Sequence, residues 1–376
     1  MLLLPQLAQH LLSDMAEAVR IAKQVVSGLP YLRKELARRI SLQTGQVFTT
    51  PSTYYVIFSG KCNLACTFCT IYHQVEPMLT REQMLRIIQE AKELSGQGFN
   101  ISLSGGEPTI YKPLYESLEL AQKLGVNFGF TTNALALTKN NIQRILSYDP
   151  FNINVSLESI DPKINESLRP FENGTTRTLE AIENLAAEKM RVKSRVSVIV
   201  KPTIMEQNYR QLPDLVRHFG KEGPVQVNFQ PYVGKAGDPF WVQDKEELRR
   251  VIEEIKALRD EGYRVIGNDV QFEGFYEYLC DPPTDVMRHL DLGGHKRNCD
   301  IGLRSMFIFQ NGDVFFCDFL KKPIGNINDK SLKQIYYGDT ADTQRKVMVR
   351  CNIDCQQTCK RPIPLLTKAR TYLRMG

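Results

Sequence analysis

The chain has 376 residues, 42% hydrophobic and 24% charged, a composition ordinary for a soluble globular protein and a length that suits one large barrel plus a smaller unit, with no need of disulfides to fold. No run approaches the roughly 18 apolar residues of a membrane span. The opening Met1-Leu-Leu-Leu, cut by Pro5, Gln6, Gln9 and His10, lacks the basic lead-in and cleavage site of a signal peptide. The net charge of +6 is uneven: residues 1–40 set Arg20, Lys23, Arg33, Lys34, Arg38 and Arg39 against three acids, and residues 360–376 hold five cations and no acid.

In chain order, residues 1–45 read as two helical pieces broken near Gly28-Leu29-Pro30, with an apolar stripe Leu11, Leu12, Met15, Val19, Ala22 and Val26. From Pro51 to about Tyr263, strand-like and helix-like segments alternate. Thr53–Phe58 and Phe99–Leu103 are β-rich, and between them Thr80 and Gln83 form a capping box that opens a helix. Further strands are expected at Val126–Thr131, Ile153–Leu157, Arg195–Val200 and Val225–Phe229, with helices at 138–147, 175–189, 208–219 and 244–260. Six β/α units argue a parallel sheet with helices outside, a full or partial (β/α)6 TIM-like barrel, whose reactive groups belong at the carboxyl ends of the strands. The domains are expected at 1–45, 46–265 and 266–376. The last is a smaller cysteine-rich α+β unit in which Asn311-Gly312 signals a two-residue hairpin turn joining Met306–Phe309 to Val314–Cys317.

Nine cysteines without a secretion signal point to metal ligation in a reducing compartment, and so to a cytoplasmic protein. Just past the first strand, Cys62, Cys66 and Cys69 are spaced C-x3-C-x2-C. Three thiolates on one short loop suit three irons of a [4Fe–4S] cube and leave the fourth iron open, whereas electron-transfer clusters use four cysteines. Zinc favours paired C-x2-C units or histidine partners, and no second pair is close in sequence.

This loop resembles the signature of the radical S-adenosylmethionine superfamily. The likeness continues in Ser104-Gly105-Gly106-Glu107-Pro108, similar to the family's GGEP motif, in Thr131-Thr132-Asn133-Ala134, and in Val155-Ser156-Leu157-Glu158 with Arg169 and Gly174. The resemblance implies that Gly105, Gly106 and Glu107 form the edge receiving the methionyl amino group. By the same likeness Ser156 contacts the ribose and Arg169 the carboxylate of the bound cofactor, and Asn133 is a further candidate for cofactor contact. The later adenine-binding segment of the family is not clear in Val198–Asn208. The implied chemistry is reductive cleavage of S-adenosylmethionine to a 5′-deoxyadenosyl radical, fed by an external electron donor such as flavodoxin or ferredoxin.

Cys299 and Cys317, with Gly312 between them and Gly325-Asn326-Ile327 after, resemble the start of the family's SPASM and twitch domains. Those domains carry auxiliary [4Fe–4S] clusters. The terminal Cys351, Cys355 and Cys359 are fewer than a full two-cluster SPASM domain needs, so one auxiliary cluster is expected, on Cys299, Cys317 and two of the terminal three. Structural zinc on four thiolates is the competing reading. Cys280 reads as an apolar residue.

The leading functional reading is a radical enzyme acting on a small-molecule or lipid intermediate. Its rivals are a maturase of a ribosomal peptide and a non-enzymatic iron–sulfur or zinc protein. No nucleic-acid partner and no cobalamin domain are expected. The basic N-terminal stripe and tail raise peripheral docking on an anionic membrane.

Overall fold

A computed structural model describes residues 29–72, 74–235, 237–281, 299–317 and 322–349. Within them the chain begins as helix α1, residues 29–44. Alternation then follows the expected order: β1 (Thr53–Ile57), α2 (Arg81–Ser95), β2 (Asn100–Ser104), α3 (Leu114–Leu124), β3 (Asn127–Thr132), α4 (Lys139–Leu146) and β4 (Asn152–Val155). Next come α5 (Pro162–Leu168), α6 (Gly174–Val192), β5 (Ser197–Val200), the short β6 (Thr203–Ile204), α7 (Leu212–Phe219), β7 (Val225–Asn228), and β8 (Gln230–Pro231), which pairs only with β6. Then follow α8 (Lys245–Asp260), β9 (Val265–Ile266), α9 (Asp269–Cys280), the one-turn α10 (Ile301–Arg304), β10 (Ser305–Ile308), β11 (Asp313–Phe315), β12 (Gly325–Asn326), α11 (Leu332–Tyr336) and α12 (Asp339–Met348). The Thr80–Gln83 capping box is present at the start of α2.

The main sheet runs β12-β11-β10-β1-β2-β3-β4-β5-β7-β9. Pairing is parallel from β10 to β9, and β9 and β10 end the parallel run without pairing to each other, so the barrel is partial. Alternation along each strand gives the sheet two unlike faces. On one, Val56, Leu103, Phe130, Val155 and Val200 are all fully buried and join the core with helix residues such as Met84, Leu118 and Ile182. On the other, pairing aligns Tyr55, Ser102, Gly129, Asn152 and Ser197 in one row. This polar inner face is the floor on which the site stands.

The C-terminal region is built into the same sheet. β10 pairs with β1 across 252 residues of chain, with Tyr55 opposite Phe307 and their rings stacked at 4.6 Å. The β10–β11 hairpin differs from the expected two-residue turn. Phe309 and Asp313 close a three-residue loop, in which Gly312 has φ +87° and donates its N–H to the Phe309 carbonyl. A two-residue type I′ turn would need a positive φ at Asn311 too, and none is present. Asn326 explains the choice: its amide bonds the Asn311 carbonyl and the Asp313 carboxylate, which holds the longer loop.

The basic N-terminal segment is partly internal. Arg38 is 6% exposed and pairs with Glu35 and with Asp300 at 2.7 Å, and the Lys34 amine donates to the Pro51 carbonyl. Those two cations join α1 to the barrel and are not presented to a membrane. The whole apolar stripe, with Arg20 and Lys23, and the basic tail lie outside the described residues. Among the described residues no helix is long and apolar enough to cross a membrane.

Candidate functional site

Strand β1 delivers the chain through Phe58, Ser59 and Gly60 into the cysteine loop. Gly60 closes its base, donating its N–H to the Gln74 carbonyl at 2.9 Å, and a Cβ there would overlap the carbonyls of Ile71 and Gln74. Inside the loop, backbone amides turn toward sulfur: Leu64 N–H to Cys62 Sγ at 3.4 Å and Ile71 N–H to Cys69 Sγ at 3.5 Å. Such donors favour a thiolate over a thiol. Burial opposes them. It raises the Cys62 thiol against the Leu64 amide, and pushes the buried Cys66 up to about 11 against the pull of Arg169. Ligation at Cys66 therefore displaces a proton at neutral pH.

The donor set fits an iron–sulfur cube: three thiols on one loop, amides and a guanidinium aimed at sulfur. Among the described residues no three His, Cys, Asp or Glu side chains converge on one point. A cube spreads its thiolates over separate irons.

Gly105 and Gly106 stand at the end of β2, facing the backbone that leads into this loop. The Gly106 N–H bonds the Ser59 carbonyl at 2.7 Å and the Glu107 N–H bonds Lys61 at 3.0 Å. A Cβ on Gly106 would overlap the Lys61 carbonyl, and Gly105 has φ +125°, so no other residue permits this approach. In this structure the glycine pair seats the cysteine loop.

Glu107 is 1% exposed, and its carboxylate accepts from the Thr109 amide and hydroxyl, the Thr132 hydroxyl at 2.6 Å and the Asn133 amide at 2.7 Å. Burial raises its pKa despite these bonds. Glu107 thus ties the end of β2 to the end of β3 and fixes Asn133. The Asn133 side chain in turn bonds Asn63 at 2.7 Å and approaches Cys62 Sγ at 3.7 Å.

Arg169, just past α5, reaches the same loop from the other side. Its guanidinium donates to Glu158 Oε1 at 3.0 and 2.6 Å and to Cys66 Sγ at 3.4 Å, and lies over the Phe68 ring. Burial works against the charge, but Glu158 and Cys66 outweigh it and raise its pKa. Ser156, half-buried at the end of β4, shows no side-chain hydrogen bond among the described residues, and its backbone N–H bonds Thr132. Gly106, Glu107, Asn133 and Arg169 therefore gather on the cysteine loop and the backbone leading into it through direct bonds, with Gly105 packed against Ser59 and Ser156 on the neighbouring strand end.

Four residues of this site are not among the candidate site residues that the sequence offers. Glu158 is fully buried and links Arg169 to the Thr203 amide. Gly60 is an ordinary glycine until its contacts are seen. Lys201 and Asn228 on the inner face are the other two, considered below. The wall beyond Phe68 is aromatic: Phe68 meets Phe240 at 6.2 Å, and Tyr232 contacts both Phe240 and Trp241.

At the far edge of the sheet, Cys299 is 6% exposed and Cys317 half-buried. The β10–β11 register, extended by two residues, sets Cys317 opposite Ser305. The end of β10 that follows Cys299 is therefore the end to which the hairpin returns Cys317. Gly302 packs against Phe316 and Met348, so α12 ends at the same place. Cys351, Cys355 and Cys359 lie outside the described residues.

Two family models match the chain: the radical SAM superfamily over residues 56–219 and an iron–sulfur cluster-binding domain, SPASM, over residues 299–361. The chain is 28% identical to a GTP 3′,8-cyclase of Staphylococcus saprophyticus over 211 residues, 52% of this chain and 59% of that protein. It is 25% identical to the mycofactocin maturase MftC of Mycobacterium ulcerans over 264 residues, 69% of this chain and 66% of that protein. The alignments thus span less than two thirds of these relatives. In fold it is similar to Streptococcus suis SuiB, solved bound to S-adenosylmethionine (TM-score 0.62, 20% identity, 81% of this chain and 70% of that chain) and bound to its precursor peptide SuiA (TM-score 0.60, 19% identity, 81% and 69%).

Proposed function

Because the chain belongs to the radical S-adenosylmethionine superfamily and carries a SPASM iron–sulfur domain, we propose that it is an enzyme that removes a hydrogen atom from a residue of a peptide held at the barrel mouth. The cluster and S-adenosylmethionine, when bound, supply a 5′-deoxyadenosyl radical. The chain's residues do the rest. Cys62, Cys66 and Cys69 hold the cluster, and Gly60, Gly105 and Gly106 set their loop at the strand ends. Glu107 and Asn133 brace one side of it, while Glu158 and Arg169 brace the other. Phe68, Phe240 and Tyr232 keep water from one wall of the mouth. Cys299 and Cys317, with two of the three terminal cysteines, hold an auxiliary cluster.

The observation that carries the peptide reading is the reach of the likeness. The match to the maturase extends over 69% of this chain, against 52% for the cyclase, and SuiB, a protein that binds a precursor peptide, shares the fold. The second reading, a small-molecule or lipid intermediate, is favoured by the higher identity to the GTP 3′,8-cyclase. The test is to supply the reconstituted enzyme with S-adenosylmethionine, reductant and separated peptide and small-molecule fractions of the source cells. Stimulated 5′-deoxyadenosine formation in the peptide fraction alone supports the first reading. Stimulation in the small-molecule fraction alone replaces it with the second.

A further inference from the structure

Among the described residues at the carboxyl ends of β4, β5 and β7, the inward row holds one charged residue, Lys201. The ladder places Asn154 opposite Ile199 and Ile199 opposite Gln226, and the Lys201 N–H continues it to the Val155 carbonyl at 2.8 Å. Two residues further along, the same register sets Ser156, Lys201 and Asn228 in a row across β4, β5 and β7. Pairing then carries Asn228 to Ile266. Every other inward position of the described parallel strands is uncharged: Thr, Tyr, Ser, Asn, Gln, Gly, Phe or Ile. The buried acids of the site, Glu107 and Glu158, are engaged with Thr109, Thr132, Asn133, Arg169 and Thr203, and Asp238 beside the aromatic wall accepts from the Tyr232 hydroxyl and the Lys235 amide.

Lys201 has no ion pair and no side-chain hydrogen bond among the described residues. Beside it, the buried Oδ1 of Asn228 has no hydrogen-bond partner. A half-buried cation and an orphaned amide oxygen on adjacent strands are costly to leave unmatched. Desolvation lowers the lysine's pKa, and no carboxylate among the described residues opposes it. By strand alternation both groups face the space enclosed by the strand ends, Lys201 just past β5 and Asn228 at the end of β7, whereas the groups aimed at the cysteine loop come from β2, β3 and the segment after β4.

We infer that Lys201 and Asn228 form a subsite for a carboxylate of the substrate, with Lys201 as the ion-pair donor and Asn228 accepting an N–H beside that carboxylate. This rests on the peptide reading above and narrows it to a substrate that brings an acidic group into the barrel mouth. One ammonium beside one amide suits a carboxylate in size and charge. The carboxylate belongs either to an acidic side chain within a peptide or to a free carboxylic acid.

The test uses the reconstituted holoenzyme, held anaerobic and saturated with S-adenosylmethionine, with binding followed by calorimetry. The probes are the capped peptide acetyl-Ala-Glu-Ala-amide, its Gln counterpart, and glutarate. The inference expects the Glu peptide to bind at least about tenfold more tightly than the Gln peptide, and Lys201→Met to erase that preference. Asn228→Ala weakens the Glu peptide while leaving glutarate unaffected, because glutarate offers no N–H. Glutarate binding as tightly as the Glu peptide assigns the subsite to a free acid and keeps the inference in its carboxylate form. Equal binding of Glu and Gln peptides, a preference that survives in Lys201→Met, or no binding of any acidic probe overturns it. A preference seen only without S-adenosylmethionine also overturns it, since the lysine then serves the cofactor. The peptide reading fails separately, when the peptide fraction gives no stimulated 5′-deoxyadenosine.

Discussion

Arg169 donates to the sulfur of Cys66 at 3.4 Å while two other nitrogens of the same guanidinium hold Glu158 Oε1. One side chain thus joins the cysteine loop to the buried carboxylate behind β4, and Glu158 passes the connection to the Thr203 amide. The loop is braced by charge as well as by backbone.

Removing one partner of this pair strands the other. Glu158 is fully buried and the Arg169 side chain 13% exposed, so Arg169→Met is expected to destabilise the fold by about 3–5 kcal/mol. The double variant Glu158→Gln, Arg169→Met recovers part of the loss. Urea unfolding of all three proteins checks this. A single variant as stable as wild type contradicts the bracing role.

Gly106→Ala is expected to cost about 3 kcal/mol or more and to lower the iron retained after reconstitution, because the new Cβ meets the rigid Lys61 carbonyl. Gly125→Ala is the control. It has φ +61° and open space around it, so it costs only about 1 kcal/mol and leaves iron content unchanged. Comparing the two by thermal unfolding and iron analysis separates a seat for the loop from general backbone strain.

Lys34 gives the fold a pH dependence. Desolvation lowers its amine from 10.5 to about 7. Between those values the unfolded chain holds a proton that the folded chain does not. The stability contributed by this group is therefore full above about 10.5 and is lost as pH falls toward 7. Lys34→Met is expected to stabilise the protein at pH 7.5 by on the order of 1–2 kcal/mol and to flatten stability against pH up to 10. A variant less stable at pH 7.5 shows that the bond to the Pro51 carbonyl outweighs desolvation.

What the residues alone revealed depended on how local the signal was. The six barrel strands were readable because their apolar residues bury one face against helices, as at Ile153 and Val155. The Thr80–Gln83 box was readable because a cap is a four-residue event. The β1–β10 pairing was not, since nothing in Met306–Ile308 points to a partner 252 residues earlier. β9 is two residues long and leaves no period to see. The cysteines declared themselves by spacing, but the reason for Gly106 did not, since it is the Lys61 carbonyl across the loop. Lys201 and Asn228 became neighbours only through strand register. The loop at Asn311-Gly312 is one residue longer than the sequence predicts because Asn326, which fixes it, arrives from another strand.

The central claim is that Cys62, Cys66 and Cys69 hold the cluster at which S-adenosylmethionine is cleaved, and that a second cluster is held separately. The most direct test is anaerobic 5′-deoxyadenosine formation under a strong reductant, measured with iron content for the wild type and for Cys62→Ala, Cys66→Ala, Cys69→Ala combined. The account predicts about eight irons and turnover for the wild type, against about four irons and none for the variant, from four irons per cube. Undiminished cleavage by the variant contradicts the claim, and stoichiometric zinc in place of the remaining iron contradicts the second cluster.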